Sequence, residues 1–159
     1  MISKNLHSWA NFHKKYFNTS YFFKKNRNRY YELLNNICIK GEFEEWIKFF
    51  IDGICEISED AITSIQKIVE LKKNDIEKIR QFSSGNISNL LLVYEYLLKH
   101  PFVESEDIKN LVNVSKPTVN KLLENLMDME ILELVEEKKR YRQYVYKKYV
   151  DILSEGTIL

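Results

Sequence analysis

Ser115, Lys116, Thr118, Asn120 and Lys121 bring two hydroxyls, an amide and two ammonium groups into seven consecutive residues. They are short or cationic hydrogen-bond donors, with no carboxylate among them. Four further cations, Lys138, Lys139, Arg140 and Arg142, cluster about twenty residues later. No complete catalytic motif accompanies either group, so their chemistry is that of binding an anionic or donor-reading partner.

The elements that must position them can be read from periodicity. Ser115 can cap free backbone N–H groups at a helix start, and Pro117 falls in the first turn, where a missing N–H costs little. Val119, Leu122, Leu123 and Leu126 then recur at helical spacing and form one apolar face. The segment Asp107–Leu126 thus reads as two short helices joined by a tight turn, the first of which buries Ile108, Leu111 and Val112. Leu90–Leu98 supplies a third apolar helix. After them, Ile131, Leu132, Leu134 and Val135 favour a strand. Glu136–Arg140 is a charged turn, and Tyr141–Tyr146 alternates like a half-buried strand. This order of parts predicts a winged helix-turn-helix with a two-stranded wing over residues 87–159. In that module the N-terminal end of the second helix enters the DNA major groove. The wing cations would then meet phosphates, although a charge run is more often a solvated turn.

Charge tempers the DNA reading. Residues 86–150 hold ten Lys/Arg and ten Asp/Glu, whereas a dedicated DNA binder tends to be basic. Six phosphate contacts, from Lys116, Lys121, Lys138, Lys139, Arg140 and Arg142, would give a log–log salt slope of about −5. Two readings therefore stand. In one the module binds double-stranded DNA; in the other it binds protein, as a homo-oligomer or as a regulator of a neighbouring domain.

The 159 residues, 45% hydrophobic and of net charge +1, can bury a core in one or two small domains and give no global field. Cys38 and Cys55 lack metal spacing and read as reduced core thiols. No metal site is expected. No apolar run is long enough to span a bilayer, and the N-terminus lacks a signal-peptide core, so a cytoplasmic protein is expected. Residues 1–31 carry seven Lys/Arg and no Asp/Glu. With Trp9, Phe12, Tyr16, Phe17, Tyr21, Phe22 and Phe23 this arm could stack on nucleic acid; buried surface is the stronger reading.

The middle of the chain is helical. Asn26–Ile39 carries an apolar stripe through Tyr30, Leu33, Leu34 and Ile37, and Gly41 breaks it. From Phe43 a sustained helical period runs to about Lys73, roughly 45–50 Å if unbroken, and Asp75–Arg80 either continues it or turns. A helix of that length is expected to link two bodies. Gln81–Asn86 is the clearest linker, so residues 1–80, 81–86 and 87–159 are the expected helical region, linker and winged helix.

Ser20-Tyr-Phe-Phe-Lys-Lys-Asn-Arg-Asn-Arg-Tyr-Tyr-Glu-Leu-Leu34 resembles the stretch after the catalytic helix of Fic-domain proteins. Gly41-Glu-Phe-Glu-Glu-Trp-Ile-Lys-Phe-Phe-Ile-Asp-Gly53 resembles the next helix of that family. Tyr149–Gly156 resembles the end of Fic proteins that carry a C-terminal winged helix. The fold class this implies is mainly α: a helical Fic-domain remnant and a long linking helix, followed by the winged helix-turn-helix. The family transfers AMP from ATP, with Mg²⁺, to protein hydroxyls through a His-Pro-Phe-x-Asp-Gly-Asn-Gly-Arg motif. Here His100-Pro101-Phe102 is followed by Val-Glu-Ser, where Pro101 stops a helix, and His7 and His13 have no partner motif. No catalytic residue is carried over. The resemblance thus implies a non-catalytic, regulatory C-terminal part of an AMP-transferring protein, with no cofactor of its own and with ATP and Mg²⁺ belonging to a catalytic half N-terminal to Met1.

Overall fold

The computed structural model describes residues 19–82, 86–136 and 142–155. Among these residues seven helices and three short strands follow in the order α1 (Thr19–Lys25), α2 (Arg27–Lys40), α3 (Phe43–Gln81), α4 (Ile87–Lys99), β1 (Phe102–Glu104), α5 (Ser105–Val112), α6 (Lys116–Asp128), β2 (Glu133–Glu136), β3 (Gln143–Val145) and α7 (Lys147–Ser154). The chain is mainly helical with one small antiparallel sheet, as its periodicities predict. It divides into two compact units, one holding the described residues up to Gln66 and the other Lys67–Leu153. Much of the aromatic arm, from Trp9 to Phe17, lies outside the described residues.

The first unit is built from α1, α2 and the first part of α3. Its core is aromatic. Phe22 is buried, and its ring lies 5.2 Å from Phe49. Gly53 makes this approach possible, because a Cβ there would meet the Phe22 ring at 2.5 Å. Phe23 stacks on Phe50, and Phe50 on Trp46. Leu33 is the buried residue of α2. Gly41 ends α2 at φ 70°, donating its N–H to Ile37 O, a left-handed cap that favours glycine. Across the unit, Lys25 Nζ meets Glu56 Oε1 at 2.8 Å. Cys38 and Cys55 are both free and exposed. That corrects the expectation of core thiols: the apolar faces of α2 and α3 are wide enough to leave part of each in solvent.

Helix α3 runs 39 residues, about 58 Å. It continues through Asp75–Arg80 and ends at Gln81, eight residues beyond the expected Lys73. Its stretch from Lys67 to Gln81, about four turns, belongs to the second unit, where Asp75 and Ile79 are buried. No Gly or Pro interrupts it after Gly53.

The second unit is a winged helix-turn-helix. Leu90, Val93, Tyr94 and Leu97 of α4 are buried, as are Ile108 of α5 and Val119, Leu122, Leu123 and Leu126 of α6. The sheet order is β1-β3-β2, antiparallel throughout. Val103 and Leu134 both face Tyr144 in register, and a bulge separates Leu134 from Glu136. The two expected wing strands are present, with β1 added along β3. Ile131 and Leu132 precede β2 rather than opening it. Their N–H groups both donate to Leu126 O, at 2.9 and 3.2 Å, and Glu130 at φ 56° turns the chain. They therefore plug the end of α6 with buried side chains. Pro101 does stop α4, and its carbonyl also accepts from Tyr146 N–H at 2.8 Å, which extends the sheet contact beyond β1.

A buried polar knot fixes the end of α3 inside this unit. Tyr146 Oη donates to Asp75 Oδ2, and Tyr94 Oη lies 3.1 Å from Tyr146 Oη. Lys78 Nζ approaches Asp75 Oδ1 at 3.8 Å and donates to Met129 O at 3.1 Å. Burial pushes the Asp75 carboxyl above its usual range, against the Tyr146 hydrogen bond and the Lys78 charge. Burial likewise raises Tyr94 to about 12 and Tyr146 further.

Candidate nucleic-acid interface

Helix α5 is stabilised at its start by its own side chains. Glu104 N–H donates to Asp107 Oδ2 at 2.8 Å within a capping box. Glu106 and Asp107 lie in the first turn and Lys109 in the last, the order that suits the helix dipole. Asn113, at φ 51°, closes the helix in the left-handed conformation that Asn tolerates. The chain then turns through Val114 into α6.

Helix α6 is built the other way round. Ser115 stands at its N-cap in extended backbone, but its side chain makes no capping bond. The Ser115 hydroxyl instead lies 2.8 Å from Thr118 Oγ1. The expected capping role is therefore corrected: the hydroxyl turns outward to Thr118. Pro117 occupies the first turn. Lys116, Asn120 and Lys121 are exposed and Thr118 half-exposed, so the five residues singled out in the sequence share one end of one helix. Neither Lys116 nor Lys121 forms an ion pair among the described residues. By contrast, Lys109 pairs with Glu106, Lys147 with Asp151 and Lys148 with Glu130. The first turn of α6 has no acid and its last turn no base. Glu124 and Asp128 are exposed toward the C-terminal end. The side-chain charge thus opposes the helix dipole and costs a few tenths of a kcal/mol or more. It leaves an end with free N–H groups and two ammonium groups, suited to a phosphate or a base edge.

Of the wing cations, Arg142 is described and exposed, one residue before β3. Lys138, Lys139 and Arg140 lie outside the described residues. His100 caps the C-terminal end of α4 and its ring lies 4.4 Å from that of Tyr96. Among the described residues no group of His, Cys, Asp and Glu is arranged to hold a metal, and no helix is long and apolar enough to cross a membrane.

A protein-family model described as "Sugar-specific transcriptional regulator TrmB" matches residues 91–152. The chain is similar to that family over α4 to α7. The match overturns the Fic resemblance, because the family found is a transcriptional regulator and not a Fic domain. The structure supplies a physical reason for the misleading pattern. Phe22, Phe23, Trp46 and Phe50 pack on one another within the first unit. Their spacing serves that local aromatic core. Tyr149 likewise stacks on Tyr146, 5.3 Å away, inside the winged helix. With the resemblance goes the implied catalytic half, its ATP and its Mg²⁺.

Proposed function

We propose that this chain is a DNA-binding transcription regulator that reads duplex DNA through the N-terminal half of α6. The observation that carries this reading is the uncapped, cation-bearing start of α6 on a helix-turn-helix scaffold. The similarity to a regulator family over the same residues supports it. Lys116 and Lys121 contact phosphates, with Ser115 and Thr118 as neutral donors beside them. Asn120 offers the carboxamide that pairs bidentately with adenine in the major groove. Arg142, with Lys138, Lys139 and Arg140 of the wing, holds the adjacent backbone. Residues 87–159 form the DNA-binding part and 81–86 its connection to the preceding helices. Such a protein works in the compartment that holds the genome, in accord with a cytoplasmic location.

The balanced charge of the module makes binding modest per copy, and the six cations assigned to phosphates make it steeply salt-dependent. The test is selection of bound duplexes from a random pool by the full chain, followed by fluorescence anisotropy on the enriched sequence. Wild type should bind with a log–log salt slope of about −5, and Asn120→Ala should lose preference at one base position by ~1–3 kcal/mol. No enrichment, or binding unchanged by Asn120→Ala and Lys121→Ala, would overturn the reading and favour a protein-binding module.

A further inference from the structure

We propose that the exposed apolar face of α3 is the docking surface for a second copy of this chain. Phe43, Ile47, Ile51, Ile54, Ile62 and Ile65 are 38–58% exposed although each is a large apolar side chain. With Ser58 they follow steps of four, four and three residues, and Val69, also exposed, continues the series. That eleven-residue period keeps one straight line along an α-helix and favours a gently right-handed pair. The aromatic core of the first unit occupies a different side of the helix, at Trp46, Phe49 and Gly53.

Three observations point to a second copy as the occupant. First, no charged residue interrupts the line from Phe43 to Val69, so it offers nothing to a charged partner. Second, Ser58, its only polar member, donates its hydroxyl to Ile54 O at 2.7 Å. That donor is satisfied within its own helix and can be buried without an orphaned hydrogen bond. Third, the size fits. Six side chains each leaving on the order of 100 Å² bare give roughly 600 Å², at the upper end of what a monomer leaves exposed in one patch and at the lower end of the ~600–1,000 Å² per partner of a standard interface. The line is about 39 Å long. A second α3 supplies an equally long uncharged face, and a two-fold pair uses the same patch on both chains. The inference does not rest on the DNA reading.

Light scattering on the full chain at ~100 µM should report a dimer. Ile54→Glu together with Ile62→Glu should give a monomer with unchanged far-ultraviolet circular dichroism, whereas Thr63→Glu, away from the line, should remain dimeric. Cys55 lies near the middle of the line at its edge, and its maleimide labelling should be slower in the dimer than in the Glu variants. Wild type that is monomeric at this concentration, or Glu variants that stay dimeric, would overturn the proposal. A monomer in which Cys55 is protected would also overturn it, since the protein's own chain would then cover the face. DNA binding is scored separately, so a failed dimer and a failed DNA reader give different results.

Discussion

Helices α5 and α6 are neighbours of similar make-up, joined by a three-residue turn, yet only one obeys the rules of helix ends. Helix α5 has a capping box, acids first and a base last. Helix α6 begins with Lys116, turns its N-cap hydroxyl away from the backbone and ends in acids. Both bury an apolar face, so packing does not separate them. The ends of α5 are thus stabilised by its own side chains, whereas α6 forgoes some helix-end stability and presents a positive, hydrogen-bond-donating tip, as the proposed DNA reader needs. Rules broken at one place in an otherwise consistent sequence commonly mark a functional site.

The largest expected effect comes from reversing that tip. Lys116→Glu with Lys121→Glu should weaken duplex binding by about 100-fold or more near physiological salt and reduce the salt slope by ~2. The same substitutions should leave the melting temperature unchanged or raise it, because acids now face the helix dipole correctly. A fall in stability of more than ~1 kcal/mol would break the contrast between the two helices.

A control beneath both helices comes next. Asp75→Ala removes the acceptor of the Tyr146 hydroxyl, leaving it Tyr94 alone, and should cost ~1–3 kcal/mol in urea denaturation, without changing which DNA sequence is bound. Asp75 also sets a pH dependence. Its carboxyl holds a proton more tightly folded than unfolded. Its contribution to stability therefore falls as pH rises from the unfolded value of about 4 through the raised folded value. Asp75→Asn should flatten that part of the profile, measured as melting temperature against pH relative to wild type.

The two smallest effects lie at the starts of the two helices. Asp107→Ala removes the acceptor of Glu104 N–H, one of the two bonds of the α5 capping box, and should cost about 1 kcal/mol. Ser115→Ala removes no backbone cap and should cost less than ~0.5 kcal/mol, below the usual N-cap penalty. Equal costs at the two positions would mean that α6 is capped like any other helix.

The sequence made some of this legible and hid the rest for physical reasons. The 3.6-residue period of Val119, Leu122, Leu123 and Leu126 locates α6, since burial on one face imposes the period. Gly41 is legible as a breaker because its left-handed backbone is costly for other residues. Strand β1 is hidden, because three residues after a proline carry no period, and only pairing with β3 makes them a strand. The knot of Asp75, Tyr94 and Tyr146 is hidden too, since Asp75 and Tyr146 lie 71 residues apart in sequence. Ser115 shows the limit of a local rule: residue type permits a cap, and the geometry sends the hydroxyl to Thr118. The Fic resemblance failed in a similar way, because aromatic helices built for local packing can repeat a family's spacing.

The most direct test of the central claim is the affinity of the full chain for its selected duplex across a salt titration, measured beside Lys116→Glu/Lys121→Glu under conditions where both are shown to be folded. Steep salt dependence is expected in the wild type, with a slope shallower by ~2 in the variant and no loss of stability. Equal affinity and equal slope in the two proteins would show that the start of α6 does not meet DNA.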